Sequence, residues 1–298
     1  MTDRSFKSAI LSPNLAGSLW MIAAMAAFAL EDAFVKHAAL ELPVSEVLIL
    51  FGLGGALAFW GLAGLRRETV FHADVLSPVM KVRFGFELVG RLFYILALAL
   101  TPLSSTTAIL QATPIFVVLG AALFFKETVG WRRWSAIFVG LIGVLIVLRP
   151  AGDSFSVLSL LAVIGMLGFS GRDLASRAAP ATLSTNVLGF YGFLTIIIAG
   201  VLFSFWEQQA LIVPSTSALQ ALAAAVAFGV VAYSSLMKAM RTGEVATVTP
   251  FRYSRLLFGI LLGVLWFDET IDFQMLIGCG VIVGSGLFIL WRSNKART

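Results

Sequence analysis

The chain has 298 residues, 59% of them hydrophobic and only 12% charged, with a mean hydropathy of +0.95 and a formal net charge of +5. Soluble domains carry about a quarter charged residues, so this composition excludes a soluble globular protein. The single cysteine, Cys279, excludes a disulfide framework or a thiolate metal site and reads as a small core residue.

A membrane-spanning helix needs about 20 mostly apolar residues. Windows of that kind recur along the whole chain, separated by short gaps. Backbone groups in lipid must be bonded internally, so the windows are expected to be helices. The ~10-residue alternating segments of a membrane β-barrel are absent from the sequence.

The first window, 15–39, follows Arg4 and Lys7 and contains Ala24-Met25-Ala26, which imitates a signal-peptidase site. The segment runs on to Leu40 and has a full-length counterpart in the second half, so cleavage is not expected. Its outer end holds Glu31, Asp32 and Lys36. Asp32 and Lys36 are one turn apart and can pair, whereas Glu31 points elsewhere and can titrate. The second window is 44–65, followed by the longest loop, 66–78, with Arg66, Arg67 and Pro78. The only histidines, His37 and His72, fall near opposite surfaces and cannot make a metal site.

The third window, 79–101, places Glu87 and Arg91 four residues apart on one face, with Tyr94 beside them. Arg91 lies about 15 Å from the inner end at ~1.5 Å per residue. A charge at mid-bilayer costs about 2.5–3.5 kcal/mol on insertion scales and faces the bundle interior or a cavity. Glu87 and Arg91 read either as a self-neutralising pair or as substrate-binding charges. The fourth window, 103–125, carries Gln111 and Pro114, and the fifth, 131–148, carries Gly140 and Gly143.

The sixth window, 156–177, holds Arg172 and Asp173 near its inner end. Being adjacent in sequence, they are not expected to face each other. The seventh, 184–205, and the eighth, 216–240, contribute Tyr191 and Tyr233. The ninth, 244–267, has Arg252, Tyr253 and Arg255, with no acid at a spacing that neutralises both cations. They need a partner elsewhere, either Glu87 or an anionic ligand group. The tenth, 272–292, has Gly280 and Gly284 in a small-xxx-small pattern, expected to let helices pack closely.

Ten spans put both termini on one side. Sixteen of the 21 Lys and Arg residues then fall at the termini, in the loops and at the helix ends of that side, against Lys36 and Arg149 on the other. Such a bias places both termini in the cytoplasm. It also accounts for the net positive charge, so no nucleic-acid partner is expected.

The halves match at a nearly constant offset. Phe124-Phe125-Lys126-Glu127-Thr128 is answered 142 residues later by Trp266-Phe267-Asp268-Glu269-Thr270. Phe28, Asp32 and Lys36 correspond to Phe169, Asp173 and Arg177. Five is an odd number of helices, so residues 151–298 form a second repeat inverted with respect to residues 1–150. Inverted repeats are a recurring transporter design, because two similar halves facing opposite ways can open one site to each side in turn. A duplication kept only for packing is the alternative.

Two five-helix repeats, each with a Glu-Thr pair closing its fourth helix and a Gly-rich fifth, resemble the EamA type of the drug/metabolite transporter superfamily. The stretch Ala108-Ile109-Leu110-Gln111-Ala112-Thr113-Pro114-Ile115-Phe116, followed by Glu127, is similar to that family's first repeat. The resemblance runs from about Leu15 to Trp291, and within the superfamily it is nearest to the bacterial YddG-type exporters of aromatic amino acids. In the second repeat Leu256 stands where Pro114 has its counterpart, and Pro250 lies six residues earlier. That argues against symmetric hinging of the two fourth helices.

The expectation is therefore an all-α integral membrane protein of ten helices, two inverted repeats around a central cavity, in the bacterial inner membrane. Its expected partners are lipid and a small-molecule substrate such as an aromatic amino acid, with the chain a monomer or weak homodimer. The candidate substrate-binding residues are Glu87, Arg91, Tyr94, Gln111, Tyr233, Arg252, Tyr253 and Arg255, with Glu31 and Glu87 as candidate proton-coupling sites. Export of other drugs or metabolites is the nearest alternative. A membrane-embedded enzyme would need a nucleophile, base or metal cluster, and a channel a filter or subunit ring, neither of which the sequence offers. No cofactor is expected, and no Gly-rich phosphate loop points to ATP.

Overall fold

The structure, a computed structural model, describes residues 12–100, 109–148, 158–267 and 273–295, and every regular element among them is helical. Helix α1, Pro13–Ala38, starts where Ser12 accepts the Leu15 N–H at 3.3 Å and Pro13 occupies the first turn, where its missing N–H costs nothing. Helix α2 is Val44–Leu65 and α3 is Pro78–Leu100, joined through a 3-10 turn at Ala73–Leu76. Then follow α4, Thr113–Phe124, α5, Trp131–Leu148, and α6, Ser159–Ala178. Helices α7, Thr185–Glu207, and α8, Thr216–Arg241, each begin on a serine cap, Ser184 and Ser215. A single helical turn at Val245–Val248 and a 3-10 segment at Thr249–Tyr253 lead into α9, Ser254–Phe267, and α10 is Phe273–Lys295.

By length and apolar composition, four stretches among the described residues can each cross a membrane: Pro13–Val35, Val44–Leu65, Thr185–Glu207 and Thr216–Arg241. Large apolar side chains such as Leu57, Trp60, Leu202 and Phe205 stand exposed on them, as a lipid-facing surface requires.

The ninth window departs from the continuous helix expected. Its backbone tightens to 3-10 geometry at Pro250 and returns to α at Ser254. In the fourth window a turn at Gln111–Ala112 precedes α4, with Pro114 in its first turn. Thr113 and Arg255 are repeat-equivalent, so the two breaks coincide although the prolines do not.

Helix α1 packs on α8, α3 on α6, α2 on α7 and α5 on α10. Exchanging the first five helices for the last five reproduces this set of pairs. Helices α2 and α7 lie antiparallel: Glu207, ending α7, accepts the N–H groups of Val44 and Ser45 at 3.0 and 2.9 Å. Glu68, just beyond α2, accepts from Ser184 and Asn186 at the start of α7. Both contacts set a carboxylate against the positive end of a helix dipole.

The loops gather at two ends. At one end Glu127 accepts the N–H groups of Val245 and Ala246, each at 3.2 Å, and Arg133 pairs with Glu244 at 2.6 Å. Asn14 accepts the Glu244 N–H there, and Arg241 donates to the carbonyls of Ala179, Pro180 and Leu183. At the other end His37 meets Ser217, and Glu46 accepts the Ile212 N–H.

Within the single chain a Cβ at Gly280 or Gly284 meets nothing within 4 Å. The α5–α10 contact uses Gly140 and Gly143 instead, facing Ser285 and the Gly278 carbonyl.

Candidate functional site

The candidate site grows from the α3–α6 pair. These helices run antiparallel in one register: Arg83 beside Ser176, Glu87 beside Arg172, Gly90 beside Gly168, Tyr94 beside Gly165. A Cβ on Gly168 would lie 2.5 Å from the Gly90 backbone, so only glycine permits this approach. The approach in turn lets the long charged side chains of both helices reach across.

What they form is a chain of alternating charge. Glu87 is fully buried and takes Arg83 Nη2 at 3.3 Å, Arg172 Nη1 at 3.0 Å and the Tyr233 hydroxyl at 3.0 Å. Arg83, also fully buried, donates from Nε to Ser176 Oγ at 2.9 Å, to the Leu188 carbonyl and to Tyr233 Oη. Arg172 Nε donates to Asp173 Oδ1 at 2.8 Å, and Asp173 Oδ2 accepts from Arg252. Phe169 carries two guanidiniums near its ring, Arg172 at 5.1 Å and Arg91 at 5.7 Å, with Tyr94 edge-on at 5.6 Å. Burial of Arg83, Glu87, Arg172 and Asp173 is tolerable only because each finds an opposite partner.

Beside this network lies a second pair. Arg255 donates from Nε and Nη2 to Asp32 Oδ2, the former at 3.1 Å, and its guanidinium sits 5.2 Å from the Phe28 ring centre. Glu31 is buried next to it in α1, with Arg91 and Arg255 both within electrostatic reach.

Several sequence expectations are corrected here. Glu87 pairs with Arg83 and Arg172 rather than Arg91. Arg83 lies four residues before Glu87 and Arg91 four after, so spacing treats them alike, and the Arg172 guanidinium and the Tyr233 hydroxyl decide between them. Arg252 and Arg255 take Asp173 and Asp32, not Glu87. Asp32 therefore serves Arg255; the Lys36 side chain expected to pair with it lies outside the described residues. Arg172 and Asp173 do touch despite being neighbours in sequence, because the long Arg172 side chain curls back along the helix. Both are buried, at 6% and 0% exposure, rather than interfacial.

The remaining expected residues are dispersed. Tyr253 is buried against α5, its hydroxyl donating to the Ile137 carbonyl at 3.2 Å, next to Gly140. Gln111 is buried in the turn before α4. Tyr191 lines a groove of about 680 Å³ with Phe71, His72, Lys81 and Phe84, at the end that gathers loop 66–78. Arg91, Tyr94, Arg252 and Arg255 keep partial exposure.

Comparison with known proteins agrees with this architecture. The model of the EamA-like transporter family matches residues 15–149 and again 157–291. A riboflavin transporter of Vibrio cholerae is 27% identical over 95% of this chain and 96% of its own. An S-adenosylmethionine uptake transporter of Rickettsia conorii is 25% identical over 67% of each chain. The pseudopaline exporter CntI of Pseudomonas aeruginosa is 27% identical over 94% of this chain and 97% of its own. A crystal structure superposes with a TM-score of 0.78 over 93% of this chain and 98% of the other at 20% identity, which shows a shared fold. These names are those of transporters rather than enzymes, and none is an exporter of aromatic amino acids. With two matches that together span most of its length, the chain belongs to the EamA-like transporter family.

Proposed function

We propose that the protein is a secondary transporter of small amphiphilic metabolites in the bacterial inner membrane, working by alternating access. Ten spanning helices form two inverted repeats, residues 1–150 and 151–298, with both termini cytoplasmic. The observation that carries this reading is the antiparallel pairing of the corresponding helices α2 and α7, supported by a buried charge network drawn from both halves. The end that gathers loops 66–78, 125–130, 179–184 and 242–244 holds most of the loop cations and is the cytoplasmic one.

Among the candidate residues, Arg91, Tyr94 and Arg255 contact the cargo, and Glu31 carries any coupled proton. Glu87, Tyr233 and Arg252 bind the helices together in this conformation, since each is engaged by neighbours on other helices. Gln111 and Tyr253 mark the equivalent breaks before α4 and α9. Aromatic rings around Arg91 and Arg255 suit a cargo with a flat apolar part, and aromatic amino acids are one such class. The relatives' cargoes, riboflavin, S-adenosylmethionine and pseudopaline, widen the range to be tested.

The test is counterflow in proteoliposomes with labelled phenylalanine, S-adenosylmethionine and riboflavin. Preloaded solute should accelerate saturable uptake of at least one of them. No saturable exchange of any of the three would overturn the transport reading.

A further inference from the structure

Two ion pairs anchor the segment around the second break, and they differ in a way that bears on cargo. Asp173 and Arg252 have side chains 0% and 12% exposed, and the other Asp173 oxygen is held by Arg172. Asp32 and Arg255 have side chains 56% and 30% exposed. This second pair nonetheless lies between helices rather than within one. It joins α1 to α9, has Tyr94 of α3 within electrostatic reach, and lies beside the Phe28 ring. Glu31 and Arg91 are the further charged groups near it.

A solute that wedges into such a pair separates the two charges. If it brings a single charge, one protein charge loses its partner and gains none, a net loss of a charge-assisted contact. A solute that brings a carboxylate and an ammonium replaces both partners at once. We propose that Asp32 and Arg255 form an exchangeable charge pair that selects zwitterionic cargo. The cargo carboxylate takes Arg255, its ammonium takes Asp32, and its apolar part lies against Phe28 and Tyr94. The proposal rests on the transport reading and narrows it. It also assigns Asp32, placed by sequence in a local surface pair, to the selection of substrate.

Competition in the same proteoliposomes tests it. Phenylalanine or S-adenosylmethionine, both of which carry the zwitterionic group, should exchange. Phenylalanine should also outcompete phenylalaninamide and N-acetylphenylalanine, each of which has lost one charge, by at least about tenfold. In Asp32→Asn the advantage over N-acetylphenylalanine should collapse to within about twofold, because Arg255 then waits for an anion alone. Asp32→Glu, which keeps the charge, should retain the advantage and controls for misfolding. Exchange of riboflavin alone would leave transport standing and overturn the charge-pair proposal. So would singly charged analogues that compete equally in the unmodified protein, or an advantage that survives in Asp32→Asn. Absence of all exchange would instead remove the transport reading itself.

Discussion

Asp32 and Asp173 occupy the same place in the two repeats, 141 residues apart, yet they live in different surroundings. Asp173 is sealed between Arg172 and Arg252 and continues the buried chain through Glu87 to Arg83. Asp32 meets one arginine and stays more than half exposed. Both carboxylates reach for the same short segment, because the second repeat carries arginines at 252 and 255 where the first has Leu110 and Thr113. The acids match between the repeats and the arginines do not, and with them one acid is a fixed brace and the other an accessible pair. Repeat equivalence thus predicts position well and chemical role poorly.

The comparison breaks most sharply if the brace is cut. Glu87→Gln leaves Arg83 and Arg172 short of a counter-charge in the interior, and should cost about 3–5 kcal/mol of stability. Thermal or denaturant unfolding in detergent reads this directly. A loss below about 1 kcal/mol would mean that the network is solvated and not a brace. Gly168→Ala comes next: its new Cβ meets the Gly90 backbone, and separating α3 from α6 should cost about 1–3 kcal/mol. The contrasting change, Gly280→Ala, faces open space in a helix interior and should be neutral or stabilising by up to about 1 kcal/mol.

Glu127→Ala removes the acceptor for the Val245 and Ala246 N–H groups, with an expected cost of about 0.5–2 kcal/mol. Asp32→Asn should change stability least, by roughly 0–1 kcal/mol, as for other exposed pairs, while altering selectivity most. A large stability loss in Asp32→Asn together with unchanged selectivity would erase the distinction between the two carboxylates.

Much of the fold is legible in the sequence, since apolar windows of spanning length have few alternatives to helix. The positions of α1, α2, α7 and α8 follow from that and from the serine caps before three of them. The break before α9 is not legible as a window, because a 3-10 segment leaves hydropathy unchanged. At the site, sequence identifies Arg252 and Arg255 as charges in need of partners on other helices, and pairs Glu87 with Arg91. It misses the partners themselves, Arg83, Arg172, Asp173 and Asp32, since all four lie near helix ends and read as interfacial. Arg83 could have been found: it stands at the same four-residue spacing from Glu87 as Arg91 does. The pairing of Asp32 with Arg255 spans 223 residues and depends on how α1 meets α9, which no local pattern encodes.

Two-sided labelling separates alternating access from an opening to one side only. In a Cys279→Ser background, Phe28→Cys places one thiol beside Arg255. A membrane-impermeant thiol reagent is applied to right-side-out and to inside-out vesicles, with and without transported solute. Alternating access requires labelling from both sides, with solute shifting the balance between them. Labelling from one side only, unmoved by any solute that the protein exchanges, would contradict it.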